Sequence, residues 1–236
     1  MSLVKLEDKG KWSLIVMRGP KLNALSREMR DELLSALRSA KPVTVLTGES
    51  AYCVGADVTS LSDIRKELEE SFYPLLREIR SDRIVISVAE KIVAGACLGM
   101  FLASDVRIAS PGTRFVTGFQ GIGLAPDTGV ALFLRGYKGM KMAVLGGEFT
   151  AEEGEKMDLL EVSQDPMKEA ERLAEEISRG PLMAYLAGKK MINASLGLEN
   201  FLRVELEEQS KLAYTEDFRE GVSAFKEKRR PQFKGK

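Results

Sequence analysis

The sequence predicts an α/β fold, and three observations carry that expectation. Short apolar runs of strand length alternate with stretches of helical spacing, and the connections between them are brief. At 236 residues the chain is long enough to bury one large continuous core. From Pro166 onward only helical patterns remain, so a helical segment closes the chain.

In order, residues 3–8 and 12–17 read as strands joined at the Asp8-Lys9-Gly10-Lys11 turn. Gly19 to Leu25 is a loop, and Ser26 caps a helix that presents Met29, Leu33, Leu34 and Leu37 on one face. Pro42 ends it, and Val43-Thr44-Val45-Leu46 is a short buried strand. Gly48 to Asp57 is a loop containing a small-residue corner, Val54-Gly55-Ala56-Asp57. A charged amphipathic helix is expected over 62–80, with Ile64, Leu68, Phe72, Leu75, Leu76 and Ile79 inward. Ile84 to Val88 is the next buried strand. It leads to a second small-residue corner at Ala94-Gly95-Ala96-Cys97, an apolar helical run from Leu98 to Ala103, and a strand over Val106–Ala109. Later helices are expected over 139–145 and 151–156, a last strand over 159–162, and terminal helices over 166–179, 181–196, 199–214 and 216–227.

Composition narrows the chemistry. Lys+Arg and Asp+Glu are 35 each, so no global field points to a nucleic-acid or membrane partner. No apolar run approaches the roughly 20 residues that span a bilayer. The chain contains no histidine, which removes Ser-His-Asp and Cys-His catalysis, imidazole bases and imidazole metal ligands. Two cysteines, Cys53 and Cys97, make a thiolate metal site improbable; both are expected as buried packing residues in a reducing, cytoplasmic setting. Acid–base work therefore falls to Asp, Glu, Lys, Tyr or water.

The stretch from Val93 to Thr128 organises the rest. A Gly/Ala turn at a helix N-terminus aims a backbone N–H into whatever pocket lies beside it, which is how an oxyanion hole is built. Further on, Pro126-Asp127-Thr128-Gly129 supplies one carboxylate. Asp127 has two readings, a turn or helix-capping residue and a catalytic base.

Six segments carry a resemblance: PKLNALS at 20–26, SAYCVGADV at 50–58, GACLGMFLASDVRIAS at 95–110, GIGLAPDTG at 121–129, LGGEFTAEEGEKMDLL at 145–160 and DFREGVSAFKEKRRPQF at 217–233. In this order, over nearly the whole chain, they resemble the enoyl-CoA hydratase/isomerase (crotonase) superfamily. The resemblance implies a crotonase-like spiral of β-β-α turns over residues 1–165, holding the acyl-CoA site. It also implies a helical trimerisation region over 166–236 and assembly as a homotrimer or homohexamer. The substrate would be a CoA thioester, with no metal and no further cofactor. The enolate of that thioester would be held by the backbone N–H groups of Ala56 and Ala96. Leu22, Ala24, Leu25, Gly55, Asp57, Gly95, Phe225 and Lys228 are the implied CoA- and substrate-binding positions. Asp57 and Asp105 occupy positions that also suit loop-closing hydrogen bonds. The basic run Lys226, Lys228, Arg229 and Arg230 reads either as a solvated helix end or as a contact for CoA phosphates.

The chain departs from the hydratase pattern where it matters. Aligned on Ser104-Asp105 and Phe115, the two hydratase glutamates fall on Gly99 and Phe119. Ser50 stands where many members have lysine, and Glu90-Lys91 stands where an Asn-Gly turn is usual. The pattern around Asp127 is similar to that of enoyl-CoA isomerases and ring-expansion isomerases. A double-bond isomerase using one carboxylate is therefore expected. The alternatives are a hydratase or lyase with an atypical acid–base set, and a CoA-binding homologue without catalysis.

Overall fold

The computed structural model describes residues 2–56 and 63–236. Strand β1 (Val4–Asp8) pairs antiparallel with β2 (Ser13–Met17), and the Asp8 side chain accepts the Gly10 amide at 2.8 Å to fix the turn between them. The expected loop at 19–25 contains one left-handed turn, α1 (Pro20–Asn23), with φ of 50°, 56° and 61° at Lys21, Leu22 and Asn23. Such a run is costly for L-residues. The Asn23 side chain holds it, accepting from the Gly19 amide at 2.7 Å and donating to the Ala51 carbonyl at 2.8 Å. Helix α2 (Arg27–Ser39) starts at Ser26, whose Oγ accepts the Met29 amide at 3.2 Å, and buries Met29, Leu33 and Leu37. β3 (Val43–Gly48) follows.

The helix expected over 62–80 begins among the described residues as α3 (Ile64–Glu67). It passes through a π-helical turn (Leu68–Phe72) into α4 (Tyr73–Ile79). Pro74 has no N–H to give the carbonyl of Glu70, and the ladder shifts there so that Tyr73 donates to Leu68. β4 (Ile84–Ala89) is buried along its whole length, as an apolar run between two covered sheet faces requires. A tight turn at Glu90-Lys91 leads to β5 (Ile92–Ala94). There follow α5 (Ala96–Ala103), every residue of it buried, then β6 (Val106–Ala109) and β7 (Arg114–Val116).

The rest comprises α6 (Val130–Phe133), α7 (Gly136–Leu145), β8 (Glu148–Thr150), α8 (Ala151–Glu155) and β9 (Glu161–Val162). The last strand is shorter than the 159–162 expected. Four helices close the chain: α9 (Pro166–Arg179), α10 (Leu182–Leu196), α11 (Leu198–Leu212) and α12 (Glu216–Glu227).

Among the described residues the strands form two sheets. One has the order β1-β2-β3-β4-β6-β9, parallel apart from its first pair; the other has the order β5-β7-β8. α9 lies across one face of the larger sheet, where Ala170 and Ala174 meet Val43, Val45, Ile86, Val88 and Ile108. The other face carries the main core with α2, α4 and α5. The smaller sheet decides where the site lies. β5 pairs parallel with β7, and Cys53 forms a parallel bridge to Val93 beside them. Successive turns of the chain thus release their loops side by side, at the ends where parallel strands place ligands.

Candidate functional site

Three of those loops, Val54–Ala56, Ala94–Ala96 and Thr117–Phe119, line one cavity of about 310 Å³. Its remaining wall is mostly apolar: Ile64, Leu68, Phe72, Ile122, Leu124 and Phe225, with Glu67 and Asp127 as the carboxylates. The two small-residue corners touch. A Cβ on Gly55 would stand 3.0 Å from the Ala94 carbonyl, and Gly55 and Gly95 have φ of +91° and +55°. Glycine is needed at both, because a side chain would meet left-handed strain and, at Gly55, the facing backbone.

Ala96 is the first residue of α5, where helix geometry leaves the N–H without an intrahelical acceptor. The amides of Ala56 and Ala96 donate to no other described residue. Behind them Cys53 and Cys97 are both fully buried. Their sulfurs are joined as a disulfide with Cα atoms 5.8 Å apart, a separation a disulfide spans. Both are buried packing residues, as expected; that they are joined to each other was not, and the parallel bridge at Cys53 brings it against the first turn of α5.

Asp127 follows a 3₁₀ turn at Gln120–Ile122 and is buried at the cavity wall. Its Oδ1 accepts from the Thr128 hydroxyl at 2.9 Å and its Oδ2 from the Gln209 amide at 2.9 Å. Burial pushes its pKa up to about 6, against those two hydrogen bonds. Gln209 also accepts the Ala125 amide at 3.1 Å and donates to the Ala125 carbonyl at 3.0 Å, so α11 grips the Asp127 loop. One turn earlier, Glu205 Oε2 accepts the Gly129 amide at 3.0 Å. Burial, and then the charge of Asp127, push the Glu205 carboxyl up to about 8.

The cavity wall thus unites Asp127, Ala56, Ala96, Gly55, Gly95 and Phe225. Asp57 lies outside the described residues. Leu22, Ala24, Leu25 and Lys228 are not on the wall. Leu25 is fully buried, its amide donating to the Gly55 carbonyl at 2.8 Å and its carbonyl accepting from Arg30 at 2.8 Å; it braces the first corner from behind. Leu22 is exposed on the left-handed turn, and Lys228 is exposed where α12 ends. In the basic tail, Arg229 is committed to Glu220 and Glu227, as a helix-end brace. Asp105 closes a loop: it accepts the Val85 amide and pairs with Arg80 and Lys189.

Both missing glutamates have a physical account. A Cβ on Gly99 would stand 2.1 Å from the Thr128 carbonyl, so α5 and the Asp127 loop pack too closely for any side chain there. Phe119 is buried and supplies apolar wall instead. Asn23, Glu67, Glu205 and Gln209 were not singled out as site residues by the sequence. For the last two a signal existed. They sit at i and i+4 on the face of α11 that also buries Leu202 and Leu206, where an amphipathic pattern calls for apolar residues.

Two adjoining backbone donors at glycine corners, an apolar cavity and one buried carboxylate define a site suited to holding a carbonyl while a proton moves beside it. The family model for enoyl-CoA hydratase/isomerase matches residues 8–236, and the chain belongs to that family. It is 36% identical over 233 residues to a probable enoyl-CoA hydratase of Rhodobacter capsulatus, covering 91% of each chain. It is 29% identical over 253 residues to a 1,2-epoxyphenylacetyl-CoA isomerase of Escherichia coli, covering 97% of each. A crystal structure of an enoyl-CoA hydratase from Mycobacterium avium subsp. paratuberculosis superposes with a TM-score of 0.88 at 25% identity, covering 99% of each chain. The architecture is the crotonase fold.

Proposed function

We propose that this protein shifts a double bond in an enoyl-CoA thioester, with Asp127 as the single proton carrier. The observation that carries this reading is the buried Asp127 on the wall of the cavity that the Gly55-Ala56 and Gly95-Ala96 corners open into. Asp127 removes the α-proton, and the C–H electron pair moves onto the thioester oxygen as an enolate. The Ala56 and Ala96 amides hold that oxygen, each donor contributing about 3–4 kcal/mol to lowering the barrier. The protonated Asp127 then returns its proton to the γ-carbon as the carbonyl re-forms, leaving the conjugated isomer. A carboxyl raised toward neutrality suits both halves of this cycle. Ile64, Leu68, Phe72, Ile122 and Leu124 would receive the acyl chain, and Phe225 would pack at the mouth. The reaction as written requires neither metal nor redox cofactor.

The test follows a 3-enoyl-CoA for growth of the conjugated 2-enoyl absorbance. Asp127→Asn is expected to cost about a thousandfold in kcat, within the range of a lost general base. Wild-type turnover that survives the substitution would sink the assignment.

Hydration is a second reading, favoured by one observation: Glu67 is another carboxylate on the same wall. Glu67 is paired with the buried Arg30, so its carboxylate is already held by a cation. Addition of water to crotonyl-CoA that falls in Glu67→Gln would support it. The same expectation of family-like assembly, a homotrimer or homohexamer, is supported by exposed apolar side chains on α7 (Tyr137, Val144, Leu145) and α10 (Met183, Met191, Ile192). Sedimentation velocity measures it. No helix among the described residues is long and apolar enough to cross a membrane.

A further inference from the structure

Resting on the isomerase reading, we propose that Glu205 is a positioning residue for Asp127, holding its loop through the Gly129 amide and sharing one negative charge with it. Asp127 lies on the cavity wall and Glu205 does not. Their loop is unusual: Thr128 and Gly129 both have left-handed backbones, φ of 53° and 78°. Left-handed geometry at Thr128 persists only if neighbours over-determine it. α11 does so from two successive turns. Gln209 grips Ala125 and the Asp127 carboxylate at the start of the loop, and Glu205 takes the Gly129 amide at its end.

The electrostatics follow from what surrounds Glu205. It is 7% exposed, and its Oε1 has no hydrogen-bond partner among the described residues. The groups facing it are Asp127 from the loop and the Tyr73 hydroxyl from α4, which donates to the Leu202 carbonyl at 3.3 Å. The charged groups on the packed elements are turned to other partners. On α3, Arg65 pairs with Glu69 and Glu67 with Arg30, while Lys66 is exposed. On α4, Arg77 pairs with Glu199 of α11. On α11 itself, Arg203 pairs with Glu207 and Lys211 with Glu208. Two buried carboxyls without a cation cannot both ionise cheaply.

Asp127 accepts two side-chain hydrogen bonds, while Glu205 accepts the Gly129 amide and leaves Oε1 unpaired, so a single charge is better held on the carboxyl that faces the cavity. Burial raises both carboxyls, and the charge of Asp127 raises Glu205 further. The reaction leaves the Glu205 proton in place. Once Glu205 ionises, a second buried charge opposes the negative charge that develops on the thioester oxygen.

The experiment measures kcat and KM against pH on a 3-enoyl-CoA for wild type, Glu205→Gln and Glu205→Leu. Carboxyl ¹³C NMR titrations of wild type, Glu205→Gln and Asp127→Asn accompany it. Wild-type kcat should fall above about pH 8, and this alkaline fall should vanish in Glu205→Gln, which stays neutral but still offers an acceptor to Gly129. Glu205→Leu should lose about tenfold to a hundredfold in kcat with KM little changed, the cost of a misplaced loop, and Glu205→Gln should recover at least half of that loss on a logarithmic scale. By NMR the late-titrating carboxyl should be absent in Glu205→Gln and should titrate earlier in Asp127→Asn. An alkaline fall that persists unmoved in Glu205→Gln overturns the proposal. So does a Glu205 titration indifferent to Asp127→Asn, a readout that stands even if no 3-enoyl-CoA is turned over and the isomerase reading fails.

Discussion

Gly99 shows how one missing side chain decides what a site can do. α5 approaches the Asp127 loop so closely that a Cβ at this position would sit 2.1 Å from the Thr128 carbonyl, a backbone atom with no room to yield. Gly99→Ala should therefore cost about 1–3 kcal/mol in chemical denaturation, as overpacking does. It should also lower kcat, because the loop it displaces carries Asp127. Equal stability of the two proteins would contradict the close approach. Asn23 makes the opposite argument, from a contact that is present. Its buried amide joins Gly19 to Ala51, and so ties the left-handed turn to the loop that ends in the Gly55 corner. Asn23→Ala leaves the buried Ala51 carbonyl and the half-buried Gly19 amide unpaired, at a cost of about 1–3 kcal/mol by the same measurement. The sequence shows an asparagine in a loop; that it is a brace depends on residues nearly thirty positions away.

At the scale of elements, the turn between β4 and β5 carries strain that the fold tolerates. Lys91 adopts φ of 63°, a left-handed backbone that glycine takes more readily than lysine. A left-handed L-residue costs about 1–2 kcal/mol, partly offset by the backbone entropy that glycine loses on folding. Lys91→Gly should then stabilise the protein by about 0.5–1 kcal/mol, read from the denaturant midpoint at unchanged m-value. Destabilisation would mean that the lysine side chain contributes more than its backbone costs.

Elements whose pattern is local were the legible ones. The amphipathic α2, the apolar β4 and the buried α5 stand within two or three residues of their expected bounds. The smaller sheet was not legible, because β5, β7 and β8 have three residues each and exist through their pairing. The glycine corners were readable as corners. The contribution of α11 to the Asp127 loop was not, since Gln209 lies 82 positions along the chain from the carboxylate it binds.

For the whole molecule, the buried carboxyls at the site set how stability varies with pH. Asp127 and Glu205 ordinarily ionise near 3.8 and 4.5, and in the folded chain near 6 and 8. The folded state therefore holds more protons than the unfolded state across this window, and stability falls as pH rises through it. The contribution is fully present below about pH 4 and lost above about pH 8. Lys189 acts in the opposite sense at higher pH. Its ammonium donates to the Ile79 and Arg83 carbonyls and to Asp105, yet burial depresses its pKa from 10.5 to about 8. Between those values the unfolded chain holds the extra proton, so stability recovers as pH climbs. The half-buried surface carboxylates Glu7 and Glu220, lowered to about 2 by lysine and arginine partners, add little because solvent screens them. Denaturant unfolding should thus be hardest near pH 4 and easiest near pH 8. Glu205→Gln should flatten the fall between them by removing its larger cause. A profile that rises steadily from pH 4 to pH 8, or a fall unchanged in Glu205→Gln, would show that this pair does not hold its proton against the solvent as its burial demands.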